Sequence, residues 1–201
     1  MELITGGQLV VKCLEEFGVK YVFGVPGGQT LFVNDPMNDS EITFIHTRHE
    51  NGAVTAADGW GRLTGEPGVC LATTGCGATN LLTGLGGALR DSSPVIALIF
   101  QNRLADVGKG DAQEANHDAI FSSICKKYIA VRAASTIQWA MREAYRIAKT
   151  GRPGPVVVDF YRDVIEEQKA QYVPEDPKKY CIGANPSGSD EVIRQAAQII
   201  K

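Results

Sequence analysis

Apolar positions fall into short runs separated by longer amphipathic stretches. Tyr21-Val22-Phe23 is the first run, and 42–45 the second. Residues 68–73 (GVCLAT), 94–100 (PVIALIF), 127–131 and 155–160 (PVVVDF) follow. Each run is apolar on both faces, so each predicts a strand buried from two sides. Between them the spacing changes to helical. Leu9, Cys13, Leu14 and Phe17 share one face of a helix that begins near Thr5. Ile137, Ala140, Met141, Ala144, Ile147 and Ala148 share a face over 135–150, with Ser135 as the expected N-cap. Strands alternating with helices predict an α/β domain: a doubly wound, mostly six-stranded parallel sheet with helices on both faces, spanning 1–166.

The pattern changes after Glu166. Residues 168–189 hold three prolines, two glycines and many polar side chains, which predicts an extended linker over 167–188. Ser189 then stands as an N-cap, with Val192, Ile193, Ala196, Ala197 and Ile200 on one helical face. That helix stops inside its apolar pattern, so 189–201 is expected to open a further, truncated domain.

Composition narrows the function. The chain has 201 residues, 44% hydrophobic and 21% charged, which excludes a disordered chain. The longest apolar run is far short of a membrane span, and the first residues show no signal-peptide pattern. A net charge of −3 without a dense Lys/Arg tract argues against nucleic acid and membrane partners. Cys13, Cys70, Cys76, Cys125 and Cys181 form no C-x-x-C pair. A reduced, cytoplasmic setting is expected. His46 and His49 have no third ligand nearby, so no metal site is expected.

Glycine, with 22 residues, is the compositional outlier, and its placement bears on chemistry. Ligands of open α/β sheets bind at the carboxyl ends of the strands. Gly24-Val25-Pro26-Gly27-Gly28 follows the first strand, and Thr73-Thr74-Gly75-Cys76-Gly77-Ala78-Thr79-Asn80 follows the third. Gln101-Asn102 closes the fourth. Asn80 and Gln101 stand where a nicotinamide-binding fold needs a glycine and an acid, and Gln29-Thr30 stands where a P-loop needs Lys-Ser/Thr. Tight turns alone would also need glycine. His46-Thr47-Arg48-His49-Glu50-Asn51-Gly52-Ala53 follows the second strand and opens a helix through Ala57, Gly59 and Leu63. A carboxylate in a first helical turn is favoured by the dipole, so Glu50 reads equally as a capping residue.

Taken in order, these motifs resemble the pyrimidine-binding domain of thiamine diphosphate-dependent enzymes, in their acetolactate synthase-like branch. Phe23 to Gly28 resembles the family's first loop, and Arg48-His49-Glu50-Asn51-Gly52-Ala53 its helix start. Gly75 to Asn80 resembles its glycine turn, and Asp91-Ser92-Ser93-Pro94 precedes the fourth strand as it does there. Thr150-Gly151-Arg152-Pro153-Gly154-Pro155-Val156, with Asp159, resembles its last strand. The likeness covers about 3–166, and the tail from Ser189 resembles the start of the family's central domain.

The resemblance implies roles. Glu50 would hydrogen-bond N1′ of the cofactor's aminopyrimidine; the imino nitrogen so favoured removes the thiazolium C2 proton, and the carbon attacks a 2-oxo acid. Such a carboxylate must be partly desolvated, which Glu50 at the end of a buried strand would permit. Val25, Pro26 and Gly27 would line the cofactor pocket, and Thr74, Gly75 and Asn80 would support the ring. Gln101 would stand at the catalytic centre and Gln113 near the substrate. Val25, Cys76 and Ala112 depart from the family pattern, which implies a pocket of smaller side chains and another donor or acceptor. The family anchors the diphosphate and Mg²⁺ through Gly-Asp-Gly and Asn-Asn, and Gly110-Asp111 is followed here by Ala112. The chain would then hold half an active site and act as a homodimer or homotetramer. FAD, held by some relatives, stays open. So do two alternatives: a natural α subunit of a split decarboxylase, and a non-catalytic dimerisation module.

Overall fold

The computed structural model describes residues 3–181 and 188–200. β1 (Leu3–Thr5) leads into α1 (Gly6–Glu16), which Thr5 and Gln8 start with a reciprocal capping box. Then come β2 (Tyr21–Gly24), α2 (Leu31–Met37), β3 (Thr43–His46), α3 (Glu50–Thr64) and β4 (Gly68–Ala72). α4 (Cys76–Thr79), α5 (Leu82–Arg90), β5 (Val95–Gln101), α6 (His117–Phe121) and β6 (Lys127–Val131) follow. The body ends with α7 (Ile137–Lys149), β7 (Pro155–Tyr161) and α8 (Arg162–Glu166). β8 (Lys169–Gln171), α9 (Pro177–Tyr180) and α10 (Asp190–Ile200) complete the chain.

Six strands form one all-parallel sheet in the order β3-β2-β4-β5-β7-β6, as the apolar runs predict. Successive side chains point to opposite faces, so each strand feeds two cores. Leu71, Ile96, Leu98 and Phe100 join Leu9, Leu14 and Met141 on the α1/α7 face. Cys70, Ala72, Ala97 and Ile99 join Val54, Ala57, Leu81 and Leu85 on the α3/α5 face. Each large aliphatic side chain so buried contributes about 1.5–3 kcal/mol. All five cysteines are free, and burial pushes the Cys13 and Cys70 thiols up to about 12. No helix among the described residues is long and apolar enough to cross a membrane.

Three expectations need correction. β3 is an edge strand with three of its four residues exposed, so Glu50 does not follow a buried strand. Ser135 is not the N-cap of α7: a 3-10 turn over Ala134–Thr136 precedes it, and the Thr136 hydroxyl is spent on the Ala133 carbonyl at 2.8 Å. The stretch after Glu166 begins as packed structure and not as an extended linker. β8 pairs antiparallel with β1, and Tyr172, Tyr180 and Cys181 pack against the core. The buried Glu16 carboxylate holds this stretch, meeting Arg142 at 2.8 Å, Tyr172 at 3.0 Å and Tyr180 at 2.9 Å. The remainder of that stretch at 182–187 lies outside the described residues. In α10, Ser189 Oγ accepts from Val192 N–H at 3.3 Å, as an N-cap should.

Candidate active site

β2 connects to β3 on one side while β4 lies on its other side, so the strand order reverses at β2. Such a reversal opens a crevice beyond the carboxyl ends of the two strands. The loop after β2 and the turn after β4 meet there: a Cβ on Gly27 would stand 2.9 Å from Thr73 Cβ. The Thr30 hydroxyl closes the first loop on itself, accepting from Gly27 N–H at 2.9 Å and donating to its carbonyl at 3.0 Å. Thr73 O–H donates to Gln29 Oε1 at 2.5 Å, and Gln29 Nε2 reaches Asn102 Oδ1 at 3.4 Å. The ends of β2, β4 and β5 are thereby stitched together. Val25 and Gly27 are half-buried at this edge, and Pro26 is exposed.

Glu50 is the first residue of α3, and His49 caps that helix by accepting from Asn51 N–H at 3.1 Å. Glu50 is 9% exposed. Asn80, at the C-cap of α4, donates to Glu50 Oε2 at 2.9 Å. On the other side Oε1 faces Gly77, where a Cβ would stand 3.3 Å away. No donor among the described residues bonds Oε1, so one lone-pair face stays open to an outside N–H. A buried carboxylate with one oxygen fixed and one free fits a proton-sharing contact to a ring nitrogen.

The turn preceding α4 needs glycine. Gly75 has φ +56° and ψ −106°, and a Cβ there would overlap the Gln113 carbonyl. Gln113, itself at φ +59°, is thus brought against the turn by its backbone while its residue stays exposed. Thr74 is buried and donates to Gln101 Oε1 at 3.1 Å. Gln101 also accepts from Asn102 N–H at 3.0 Å and donates to the Ala115 carbonyl at 3.0 Å. Its amide therefore ties the turn to the 102–116 loop. Glu50, Thr74, Gly75, Asn80, Gln101 and Gln113 do converge on one region. A cavity of about 630 Å³ lies apart from them and is lined by Gln8, Phe32, Asn34 and Ile165.

Two neighbours of the site, His117 and Tyr128, escape the sequence reading, and Asp159 enters it only through the last-strand motif. His117 Nε2 accepts from Gly75 N–H at 3.1 Å, its Nδ1 stands 2.9 Å from Asp159, and Tyr128 reaches the same carboxylate at 2.6 Å. The available signal was Asp159, a charge inside the apolar run PVVVDF. No group of three or more metal-ligating side chains occurs among the described residues. Asp111 lies on an exposed loop and its Oδ1 is taken by Ala112 N–H at 2.7 Å.

Comparison with known proteins identifies the family. The family described as thiamine pyrophosphate enzyme, N-terminal TPP binding domain, matches residues 4–120. An acetolactate synthase of Mycobacterium bovis is 40% identical over 203 residues, covering 100% of this chain and 32% of that protein. A probable acetolactate synthase large subunit of Methanocaldococcus jannaschii is 41% identical over 200 residues, covering 98% and 34%. The acetolactate synthase isozyme 3 large subunit of Escherichia coli is 37% identical over 203 residues, covering 100% and 35%. The chain spans about a third of the length of the curated relatives it matches.

Proposed function

The chain belongs to the thiamine pyrophosphate enzymes as their N-terminal TPP-binding domain, and from this we propose that Glu50 activates thiamine diphosphate for decarboxylation of a 2-oxo acid followed by carboligation. The observation that carries the reading is the Glu50 carboxylate, held by Asn80 on Oε2 and left open beside Gly77 on Oε1. When bound, the cofactor supplies the carbon that attacks the 2-oxo acid.

This chain supplies the proton handling and the shape. Glu50 Oε1 shares a proton with the aminopyrimidine nitrogen. Asn80 holds the carboxylate in one orientation, and burial removes water that would compete for the proton. Val25, Pro26 and Gly27 line the approach from the β2 loop, and Thr74 with Gln101 sets the height of the glycine turn. Val25 and Ala112 keep the substrate side small, so the carbonyl pair need not be the one that gives acetolactate.

The described residues of this chain offer no cluster of three or more side-chain ligands that fits Mg²⁺. We place the diphosphate and its Mg²⁺ on a different domain, met across a subunit interface, so that the working unit is a homodimer or homotetramer. The test is release of CO₂ from pyruvate and 2-oxobutyrate by the full-length protein. Release that requires added thiamine diphosphate is expected. Failure of thiamine diphosphate to bind in a calorimetric titration would overturn the proposal.

A further inference from the structure

Beneath the glycine turn lies a buried polar chain that proton sharing at Glu50 does not use. The side chains of His117 and Asp159 are 0% and 1% exposed. Their directions of donation follow from the partners. A backbone N–H only donates, so the His117 Nε2 that meets Gly75 N–H at 3.1 Å carries a lone pair. Nδ1, 2.9 Å from Asp159 Oδ2, then carries the hydrogen. Tyr128 O–H donates to the same oxygen at 2.6 Å. Burial first, and then the Asp159 charge, push the Tyr128 hydroxyl far above its ordinary range, so it stays a donor. Asp159 Oδ1 is buried and has no hydrogen-bond partner among the described residues, so both ties of this carboxylate run through Oδ2.

We infer that His117 is a positioning residue for the cofactor side of the fold, acting through Gly75 as a neutral imidazole whose tautomer Asp159 and Tyr128 fix. The inference rests on the reading of Glu50 as the cofactor's carboxylate. Gly75 is the N-cap of α4, so no helical carbonyl pairs its amide, and His117 is the acceptor instead. Two residues on, Gly77 faces Glu50 Oε1; at the end of the same short helix Asn80 holds Oε2. Rotation about Gly75 would shift both contacts of the carboxylate. The Gln113 carbonyl, packed on Gly75, would shift with it. His117 thus sets the open oxygen of Glu50 without touching it. A histidine that served only as core filling would leave C2 proton exchange unchanged when the acceptor for Gly75 N–H is removed.

Two variants separate these roles. His117→Asn keeps a partner near the Nδ1 position but removes the acceptor for Gly75. His117→Gln places an amide oxygen near Nε2. Both lose the packed ring, so their losses of stability are expected to match. In the full-length protein, exchange of the C2 proton of bound thiamine diphosphate is expected to slow about tenfold in His117→Asn, the kinetic worth of one neutral hydrogen bond. His117→Gln is expected to recover most of the rate. An unchanged rate in His117→Asn, or no recovery in His117→Gln, would overturn the inference. If neither variant folds, ¹⁵N-histidine labelling of the unaltered protein decides: protonated Nδ1 and bare Nε2 at neutral pH are expected, and the opposite tautomer or an imidazolium overturns it. Glu50→Gln run alongside keeps the two claims apart. Undiminished exchange there sinks the Glu50 reading, whereas slow exchange there with normal exchange in His117→Asn sinks the role of His117 alone.

Discussion

Asn80 Nδ2 donates to Glu50 Oε2 at 2.9 Å, across thirty residues of sequence. The bond joins the first residue of one helix to the C-cap of another and leaves the second carboxylate oxygen open. Replacing the amide by an acid changes one atom and reverses the interaction. Asn80→Asp puts a second carboxylate beside Glu50 in place of the donor that fixes Oε2. C2 proton exchange in the full-length protein is therefore expected to slow about tenfold. Exchange at the unaltered rate would show that Asn80 does not govern Glu50.

Gly77 leaves the space that Glu50 Oε1 faces. A Cβ there stands 3.3 Å from Oε1 and 2.7 Å from Thr73 Cγ2. Gly77→Ala is expected to cost about 1–3 kcal/mol of stability through overpacking. Thiamine diphosphate affinity is expected to fall about tenfold or more, because the methyl stands where the ring must approach. Titration calorimetry checks this, and unaltered affinity in the folded variant would contradict it.

Glu16 clamps the segment after β8 onto α1 and α7. Burial alone would raise its carboxyl, but Arg142, the Glu175 amide, Tyr180 and Tyr172 outweigh that and hold it below the ordinary glutamate range. A depressed carboxyl stabilises the fold above its unfolded pKa of about 4.3, and that stability is lost as pH falls through the lower folded value. Glu16→Ala leaves Arg142 facing an emptied site and is expected to cost about 3 kcal/mol at neutral pH. The loss should shrink below pH 4, where the unaltered protein also surrenders the interaction. Urea unfolding at a series of pH values measures both, and a pH-independent difference would contradict the account.

The central strands were legible because parallel strands buried on both faces are apolar along their length, as 94–100 is and as 155–160 is apart from Asp159. The same rule misjudged β3. Four residues of an edge strand look like four of a buried one, and only the strand order tells them apart. β1 and β8 have three residues each, and their pairing joins Leu3 to Gln171, a contact with no local trace. The start of α7 escaped for a related reason: Ala134 N–H is satisfied at 2.9 Å by Gln168, from the other end of the domain. Glu50 stood out by its place at a helix start after a strand. Asn80 entered as one of several turn residues, and only the fold shows which carboxylate oxygen it meets. His117 carries no motif at all; the charge of Asp159 inside an apolar strand was the one mark that a buried polar partner had to exist.

The central claim is that Glu50 handles the proton that activates the cofactor. Glu50→Gln removes that ability with almost no change in shape and leaves an oxygen for Asn80 to meet. C2 proton exchange of thiamine diphosphate bound to the full-length protein, followed by NMR in deuterated buffer, tests it most directly. The variant is expected to bind the cofactor, to keep the far-ultraviolet spectrum of the unaltered protein, and to exchange about a hundredfold or more slowly, as loss of a general acid–base group requires. Exchange at the unaltered rate, with the cofactor bound, would contradict the account.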